Sequence, residues 1–349
     1  MKLVFYSINL SPHQLPLAKE VAKLVGQDEF CYVAEKDNWR GSKIDPGGIR
    51  TCLRKDAGDV LENCEVLYTG GLRPIDLIER RAMRGLKTLY VSERWFKPIW
   101  GLPGRVRMLW PSYRRTVKRF VRAANENACV RFLAIGPHAA ADFEKMGVLR
   151  EKIVPWGYFV EKGAGNWERG TGNGERRKDG VLRVLWAGRL LKLKRVDTII
   201  RAIGELSARV NSSSSSSIIT LDIYGTGPEE KRLKKLAKGY GSIIKFHPPV
   251  SIDEVRKLMR EHDVYIMASD ENEGWGAVVN EALEEGMQVL GTFEAGACAA
   301  MLPMERLFHC GDVKALAGLL WKERDSVLPS CSIGEWTAGN AAKRLLLEL

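Results

Sequence analysis

Two glutamates, Glu273 and Glu281, stand on either side of a Gly-Trp-Gly turn that directly follows a run of apolar, strand-like residues. Gly274 and Gly276, which flank Trp275, leave main-chain N–H groups free at the start of a helix, where an anionic group can bind. Eight residues of continuous helix would separate the two carboxylates by roughly 12 Å, whereas carboxylates flanking one scissile bond lie about 5 to 9.5 Å apart. The spacing therefore predicts contacts with two distant parts of one extended ligand. A nucleotide sugar fits, with Glu281 on the ribose and Glu273 on the sugar.

Basic residues follow the first predicted strand of the same half of the chain. Residues 187–195 place Arg189 at the carboxyl end of the strand and Lys194 five positions later. An arginine can chelate two phosphate oxygens and a lysine adds a point charge, so the pair predicts a diphosphate site. Farther on, Gly225 and Gly227 form a Gly-Thr-Gly turn after another strand but lack the third glycine of a dinucleotide fingerprint. We interpret this segment as a tight turn that lines the ligand cleft.

Short apolar runs alternate with helix-like segments along the chain, as in parallel sheets covered by helices on both faces. The pattern occurs twice, so the sequence predicts an α/β protein with two doubly wound, Rossmann-like domains facing a central cleft. In the first half the predicted strands are Lys2–Ile8, Phe30–Ala34, Glu65–Tyr68, Thr88–Val91 and Arg131–Ile135. In the second half they are Arg183–Trp186, Ile218–Tyr224, Ile243–Phe246, Val264–Met267, Gln288–Leu290 and Leu307–His309.

Composition divides the chain into four parts. Residues 161–180 are rich in glycine and charge, which is typical of a linker. They separate an N-terminal domain, residues 1–160, from a nucleotide-sugar-binding domain, residues 181–330, and a closing helix is predicted in residues 331–349. The serine run 212–217 is interpreted as a solvated loop.

The overall composition excludes several classes of protein. With 349 residues, 45% hydrophobic and 28% charged, the chain is long enough to bury two cores. No apolar run approaches the ~18 residues of a membrane span. The seven cysteines contain no Cys-x-x-Cys pair, which argues against a disulfide framework or a zinc knuckle. The first residues resemble a strand rather than a signal peptide, so we expect a cytoplasmic protein.

The net charge of +11 is confined to the first half of the chain. Residues 1–180 carry 32 basic and 21 acidic residues, an excess of 11, and the remainder carries 22 of each. Residues 94–122 contain nine basic residues, no acidic one and several interleaved aromatics. This segment predicts a docking surface for an anionic partner. Because some of its apolar residues recur at helical spacing and belong to a core, an anionic membrane surface is favoured over nucleic acid.

These motifs together resemble family 4 of the retaining glycosyltransferases of GT-B fold, over residues 181 to about 325. The resemblance rests on Gly188-Arg189 to Lys194, on the segment 223–228, and on Glu273-Gly274-Trp275-Gly276 to Glu281-Ala282. It implies that Arg189 and Lys194 bind the donor diphosphate, that Glu273 and Glu281 address the donor sugar and ribose, and that no metal is required. The nucleotide sugar would be a co-substrate. The remaining donor-side residues are Gly225, Gly227, Gly274, Trp275 and Gly276.

The N-terminal half departs from that family. The loop after the first strand, residues 9–14, has no glycine pair, and Glu93 and Arg94 stand where family members often have a histidine. No acceptor can therefore be inferred from the resemblance. Position alone, at strand-to-loop junctions, makes His13, Glu93, Arg94 and His138 acceptor-side candidates.

The sequence favours a hexosyltransferase-type enzyme that moves a sugar from a nucleoside diphosphate donor to an acceptor hydroxyl. The acceptor would be a glycan or a lipid-linked sugar, in the synthesis of a polysaccharide, glycolipid or cell-surface glycan. One alternative is a non-catalytic protein that binds an anionic surface, either membrane or nucleic acid, through residues 94–122. Another keeps the fold but makes the protein a sugar-nucleotide epimerase or a phosphorylase. The basic segment also leaves open peripheral association with the inner face of the membrane.

Overall fold

The computed structural model describes residues 2–39, 42–71, 74–98, 102–163, 180–211, 219–325 and 328–348. The chain forms two compact units. Unit 1 comprises Met1–Glu161 and Glu335–Leu349, and unit 2 comprises Lys162–Gly334. Most of the predicted linker, from 164 to 179, and the serine run lie outside the described residues.

Unit 1 contains a seven-stranded, wholly parallel sheet and a short antiparallel hairpin. Its strands are β1 Leu3–Asn9, β2 Phe30–Lys36, β3 Asn38–Trp39, β4 Ser42–Lys43, β5 Thr51–Leu53, β6 Val66–Gly70, β7 Lys87–Ser92, β8 Val130–Ile135 and β9 Ile153–Trp156. The order in the sheet is β5-β2-β1-β6-β7-β8-β9, with β3 and β4 forming the hairpin. The helices are α1 Leu15–Val25, α2 Val60–Asn63, α3 Ile75–Met83, α4 Pro111–Glu126 and α5 Pro137–Lys145.

Unit 2 repeats this plan with a six-stranded parallel sheet. Its strands are β10 Leu182–Ala187, β11 Ile219–Tyr224, β12 Ile244–His247, β13 Val264–Met267, β14 Gln288–Thr292 and β15 Leu307–Phe308, in the order β12-β11-β10-β13-β14-β15. The helices are α6 Val196–Asn211, α7 Glu230–Ala237, α8 Ile252–Glu261, α9 Val278–Glu284, α10 Gly296–Met301 and α11 Val313–Arg324.

The apolar runs form these strands because helices cover both faces of each sheet, so successive side chains are buried in either direction. In β13 all four residues are buried, and in β10 only Arg183 is not. Helix α4 buries Val117, Phe120 and Ala124 against the unit 1 sheet. The carboxyl ends of the parallel strands therefore carry the loops on which polar side chains can remain accessible.

The last helix, α12 Ala338–Leu347, belongs to unit 1. It packs on α1, and Arg344 donates a hydrogen bond to the carbonyl oxygen of Pro155 at 2.6 Å and lies 5.3 Å from the ring of Trp156. The chain thus begins and ends in the same unit.

The predicted strands are confirmed to within two residues at each end for the described part of the chain. Two strands of the unit 1 sheet, β5 and β9, were not predicted. Both lie at the edges of the sheet; β5 has only three residues, and β9 contains Pro155, which is tolerated at an edge because a proline cannot donate a ladder hydrogen bond.

Candidate functional site

A cavity of about 300 Å³ opens at the carboxyl end of the unit 2 sheet. It brings together three segments that the sequence predicted to act on one ligand: the loop after β10, the Gly-Thr-Gly turn after β11, and helix α9. Its lining residues are Ala187, Gly188, Arg189, Tyr224, Gly225, Thr226, Pro249, Val250, Ile252, Val255, Val278 and Glu281. Glu281, predicted for the ribose, and Arg189, predicted for the diphosphate, therefore face the same space, whereas Lys194 and Glu273 do not line it.

Close main-chain packing between two loops shapes one wall of this cavity. A Cβ atom at Gly225 would lie 1.9 Å from the carbonyl oxygen of Gly188, and one at Gly227 would lie 2.5 Å from that of Leu190. The Leu190 amide also donates to the carbonyl oxygen of Thr226 at 2.9 Å. Glycine is required at both positions because any side chain would separate the two loops. Gly225 lines the cavity, whereas Gly227 does not line it and contributes through its close packing on Leu190.

Glu281 is the acidic group of the cavity. Burial raises the pKa of its carboxyl to about 7, and the nearby guanidinium of Arg256 opposes the shift. The carboxylate accepts no side-chain hydrogen bond from the described part of the chain. Tyr265, beneath it, donates its hydroxyl to the carbonyl oxygen of Ala187 at 3.1 Å. A carboxylate with unused acceptor sites in a partly apolar cavity is suited to pairs of ligand hydroxyls.

Arg189 is exposed at the same cavity and makes no ion pair with any residue in the described ranges. Lys194, five positions later, forms an ion pair with Glu273 instead. Glu273 is also held by the hydroxyl of buried Ser269, at 3.0 Å. Lys194, predicted to bind the diphosphate, and Glu273, predicted to bind the sugar, are therefore paired with each other.

The loop that carries Glu273 is anchored by Trp275. The indole is 1% exposed and donates its N–H to the side-chain oxygen of Asn280 at 2.7 Å. The buried Trp275 side chain thus holds the loop in place. Only the main chain of Trp275 is available to contact a ligand. Helix α9 begins at Val278, so Glu273 precedes it in a separate turn and the continuous-helix separation does not apply to the two glutamates.

The glycines of this loop also have steric roles. Gly276 has a φ of +93°, and a Cβ there would lie 2.5 Å from the Cε atom of Met267. The carbonyl oxygen of Gly274 lies 2.6 Å from where a Cβ of Gly296 would be. Because Gly276 and Gly296 have no side chain, the loop can lie directly on β13 and on the start of α10.

At the carboxyl edge of the unit 1 sheet, two of the four acceptor-side candidates meet through a residue that the sequence analysis missed. The hydroxyl of Tyr158 donates to the Oε1 atom of Glu93 at 3.0 Å. The ring of His13 lies 5.6 Å from the ring of Tyr158, centroid to centroid. Lys97 forms an ion pair with the other carboxylate oxygen of Glu93. Tyr158 follows β9, so recognising that edge strand would have revealed it as a residue at a strand end.

Arg94 and His138, the other two candidates, belong to the loop after β7 and to helix α5. Arg94 turns toward buried Asp142, with 3.7 Å between its Nε atom and Oδ2, and Asp142 also accepts a hydrogen bond from the amide of Phe96 at 3.0 Å. This places Arg94 in a structural contact with α5. His138 is half-buried in the first turn of α5.

Within the described part of the chain, no group of three or more histidine, cysteine or carboxylate side chains is arranged to hold a metal ion.

Residues 173–322 match the model of the family described as Glycosyl transferases group 1. This confirms the resemblance for that part of the chain, at the level of group 1. The match covers less than half of the chain, and the matched residues that the structure describes all lie in unit 2.

Two curated relatives match over a limited stretch. The D-inositol 3-phosphate glycosyltransferase of Streptomyces griseus is 32% identical over 120 residues, which is 32% of this chain and 25% of that protein. The GtfA subunit of the UDP-N-acetylglucosamine–peptide N-acetylglucosaminyltransferase of Streptococcus pneumoniae is 27% identical over 112 residues, which is 31% of this chain and 20% of that protein. The matched part thus spans a quarter or less of each relative.

Solved structures match over the whole chain. The apo form of the lipopolysaccharide outer core galactosyltransferase WaaB has a TM-score of 0.69 at 12% identity, covering 100% of both chains. Anabaena Alr3699/HepE in complex with UDP-glucose has a TM-score of 0.62 at 14% identity, also covering 100% of both. WaaG, a glycosyltransferase involved in lipopolysaccharide biosynthesis, has a TM-score of 0.58 at 17% identity, covering 98% and 99%. These likenesses, with the two parallel sheets, confirm the predicted GT-B fold of two Rossmann-like domains.

Proposed function

We propose that this chain, whose residues 173–322 match the model of the family Glycosyl transferases group 1, transfers a sugar from a nucleoside-diphosphate-sugar to an acceptor hydroxyl. The anomeric configuration would be retained and no metal ion would be needed; both points rest on the family resemblance. The observation that carries the proposal is the unit 2 cavity, which joins exposed Arg189, a glycine turn and the half-buried side chain of Glu281 in one space.

Each part of the donor has a matching group in unit 2. The carboxylate of Glu281 accepts hydrogen bonds from the ribose hydroxyls, and Arg189 binds the diphosphate through its planar fork. Lys194 adds a second positive charge. In the ligand-free protein Lys194 is paired with Glu273, so we infer that the diphosphate replaces Glu273 as its partner and frees that carboxylate for the hydroxyls of the donor sugar.

The transfer itself needs little covalent chemistry from the protein. The bond from the anomeric carbon to the diphosphate oxygen breaks, a bond to the acceptor oxygen forms, and the acceptor proton ends on the departing diphosphate. Negative charge grows on that diphosphate as the bond breaks. Arg189 and Lys194 stabilise it, and preorganised charges of this kind usually make the largest contribution to catalysis.

The proposal is tested by thermal unfolding in the presence of UDP, GDP, ADP, UDP-glucose, UDP-N-acetylglucosamine and GDP-mannose. A ligand that binds only the folded state at about 100 times its Kd adds about 2.7 kcal/mol to the unfolding free energy. We expect one base to raise the midpoint selectively, while the matching nucleoside without phosphates raises it far less. Uridine nucleotides come first, because solved structures of Alr3699/HepE hold UDP or UDP-glucose. A panel without any shift would contradict the proposal.

For the acceptor we propose a surface glycan or a lipid-linked sugar. The support is that two of the structurally similar proteins, WaaB and WaaG, are described as acting on or in the biosynthesis of lipopolysaccharide. The distribution of charge in unit 1 is consistent with an acceptor that lies at an anionic surface.

We further propose that unit 1 docks on anionic lipid through helix α4 and the turn before it. At 3.6 residues per turn, the basic residues of α4 that face away from the sheet fall within an arc of about 100°: Arg114, Arg115, Lys118 and Arg122. The helix buries the opposite side, which includes Val117 and Phe120. Arg114, Arg115 and Lys118 are exposed and form no ion pair in the described part of the chain. Arg119, in contrast, is paired with Asp76 and Glu79 of α3.

Apolar side chains stand beside these cations. Leu109 is 78% exposed, Leu102 51% and Trp110 45%. Basic residues next to exposed leucine and tryptophan suit the interface of a bilayer, where the apolar groups enter the boundary and the cations meet lipid phosphates. This combination favours lipid over nucleic acid. No helix in the described ranges is long and apolar enough to cross a membrane.

Sedimentation with vesicles of phosphatidylglycerol and phosphatidylcholine tests the docking surface. The triple variant R114E/R115E/K118E should weaken binding at least 100-fold, since each basic residue near an anionic surface contributes about 1 kcal/mol. Wild-type binding should fall sharply at about 1 M NaCl, where the screening length is about 3 Å.

A matched variant separates this surface from net charge. K231E/K235E/K238E reverses the same number of exposed positive charges, three, in unit 2 and should bind vesicles like the wild type. Equal loss in both triple variants, or binding to a DNA oligonucleotide but not to vesicles, would overturn the docking surface.

A further inference from the structure

We propose that Glu93, Tyr158 and His13 form the subsite that holds a hydroxyl-bearing ring of the sugar acceptor. This inference rests on the proposed function, and it assigns the acceptor, the second substrate of that reaction, to a site in unit 1. The three residues come from the loops after β7, β9 and β1. In a parallel sheet these loops lie at the same edge, which is where such folds bind ligands.

The carboxylate of Glu93 is oriented and still has room for a ligand. One oxygen receives the hydroxyl of Tyr158 at 3.0 Å, and the other is paired with Lys97. Each carboxylate oxygen has two acceptor positions, so one position on each remains for a hydroxyl group. The side chains of Glu93 and Lys97 are 29% and 28% exposed, so a ligand can reach them.

Tyr158 acts as a fixed donor in this cluster. Burial and then the negative charge of Glu93 raise its pKa well above the ordinary value, so the phenol keeps its proton at physiological pH. Its hydroxyl donates that proton to Glu93 at 3.0 Å. Tyr158 is therefore a positioning residue, because it orients the carboxylate that binds the acceptor.

The two rings supply an apolar wall. The rings of His13 and Tyr158 are tilted by 34° with centroids 5.6 Å apart. A carboxylate beside aromatic faces matches the two surfaces of a sugar, whose hydroxyls need acceptors and whose C–H face needs an apolar contact. The ligand class is therefore a pyranoside, or a similar cyclic polyol, rather than a phosphate or a peptide.

Saturation-transfer NMR with para-nitrophenyl glycosides of glucose, galactose and N-acetylglucosamine tests the subsite without turnover. The wild type should bind at least one glycoside, and Glu93→Gln and Tyr158→Phe should each weaken that binding about tenfold, since hydrogen bonds to a charged group are the strong ones. In assays with a donor that the thermal panel identifies, both variants should raise the acceptor KM while the donor KM stays within twofold.

Two control variants guard against a purely structural effect. Glu144→Gln removes an exposed carboxylate from α5, and Tyr113→Phe removes a half-buried phenol that donates to the Trp95 carbonyl oxygen at 2.9 Å. Both should bind glycosides like the wild type. Wild-type protein that binds no glycoside, or variants that bind as well as it does, would overturn the subsite. The nucleotide panel is read separately, so a nucleotide shift without glycoside binding rejects the subsite alone, and the reverse rejects the donor site alone.

Discussion

Replacing Arg189 with alanine should lower kcat/KM for the nucleoside-diphosphate-sugar by roughly 100-fold or more, which is the loss typical of removing one preorganised donor to a developing negative charge. Arg189 lines the unit 2 cavity and has no ion-pair partner in the described residues that could take over its charge. Because the side chain is exposed, its removal leaves no buried group without a partner. The midpoint of thermal unfolding should therefore stay unchanged in the absence of nucleotide, while the nucleotide-induced shift disappears.

Lys192→Ala is the matched control for this prediction. Lys192 lies in the same loop, is exposed and does not line the cavity. Its removal deletes one positive charge near the site but no expected contact. Equal losses of kcat/KM in Arg189→Ala and Lys192→Ala would mean that the loop acts only through its total positive charge and not through a specific contact of Arg189. An unaltered kcat/KM in Arg189→Ala would show that the diphosphate does not bind at Arg189.

Glu281→Gln should stabilise the protein at pH 8 and at the same time weaken nucleotide binding. The pKa of Glu281 is raised from 4.5 to about 7. Between those values the folded state binds more protons than the unfolded state, so this residue makes the unfolding free energy fall as pH rises. At pH 8 the ionised carboxylate costs about 3 kcal/mol relative to a group with an ordinary pKa.

Glutamine removes this pH dependence because it does not ionise. The advantage of the variant over the wild type should grow by about 2 to 3 kcal/mol between pH 5 and pH 8, which corresponds to a rise of roughly 5 to 10 °C in the midpoint of the transition that includes unit 2. Calorimetry at a series of pH values measures it. Glu254→Gln, which changes a half-exposed glutamate of α8, should follow the wild type. A pH dependence that persists in Glu281→Gln would show that another group causes it.

Nucleotide binding should change in the opposite direction. An ionised carboxylate is the stronger acceptor for ribose hydroxyls, so wild-type affinity should increase as pH rises through 7 and the affinity of Glu281→Gln should not. A gain in stability with a loss of ligand binding is the behaviour expected when a partly buried charge is retained for binding.

Most of the fold could be predicted because each buried strand of a parallel sheet is a short apolar run between turns. The runs 264–267 and 182–187 are visible in the sequence for this reason. Strands β5 and β9 could not be predicted in the same way. Their pairing depends on an existing neighbour at the sheet edge, and three residues or a run interrupted by Pro155 carry little pattern of their own.

The convergence of three candidate residues could be predicted from the sequence, but their contacts could not, and their roles stay predictions. Arg189, Gly225 and Glu281 converge on one cavity, as their places after strands implied. The pairing of Lys194 with Glu273 and the burial of Trp275 were not predicted. Both depend on how loops distant in sequence pack together, and that information lies in tertiary contacts rather than in residue spacing.

The path of the chain between its units has a consequence for recombination. The polypeptide enters unit 2 at Lys162 and returns to unit 1 at Glu335. The coding sequence of unit 2 therefore lies between the two segments that encode unit 1. A gene fusion with a single crossover would give α12 to a different parent from α1, and the contacts of Arg344 with Pro155 and Trp156 would be broken. Chimaeras that exchange unit 2 therefore need two crossovers, one near each boundary, and leave the final helix with the parent that supplies unit 1.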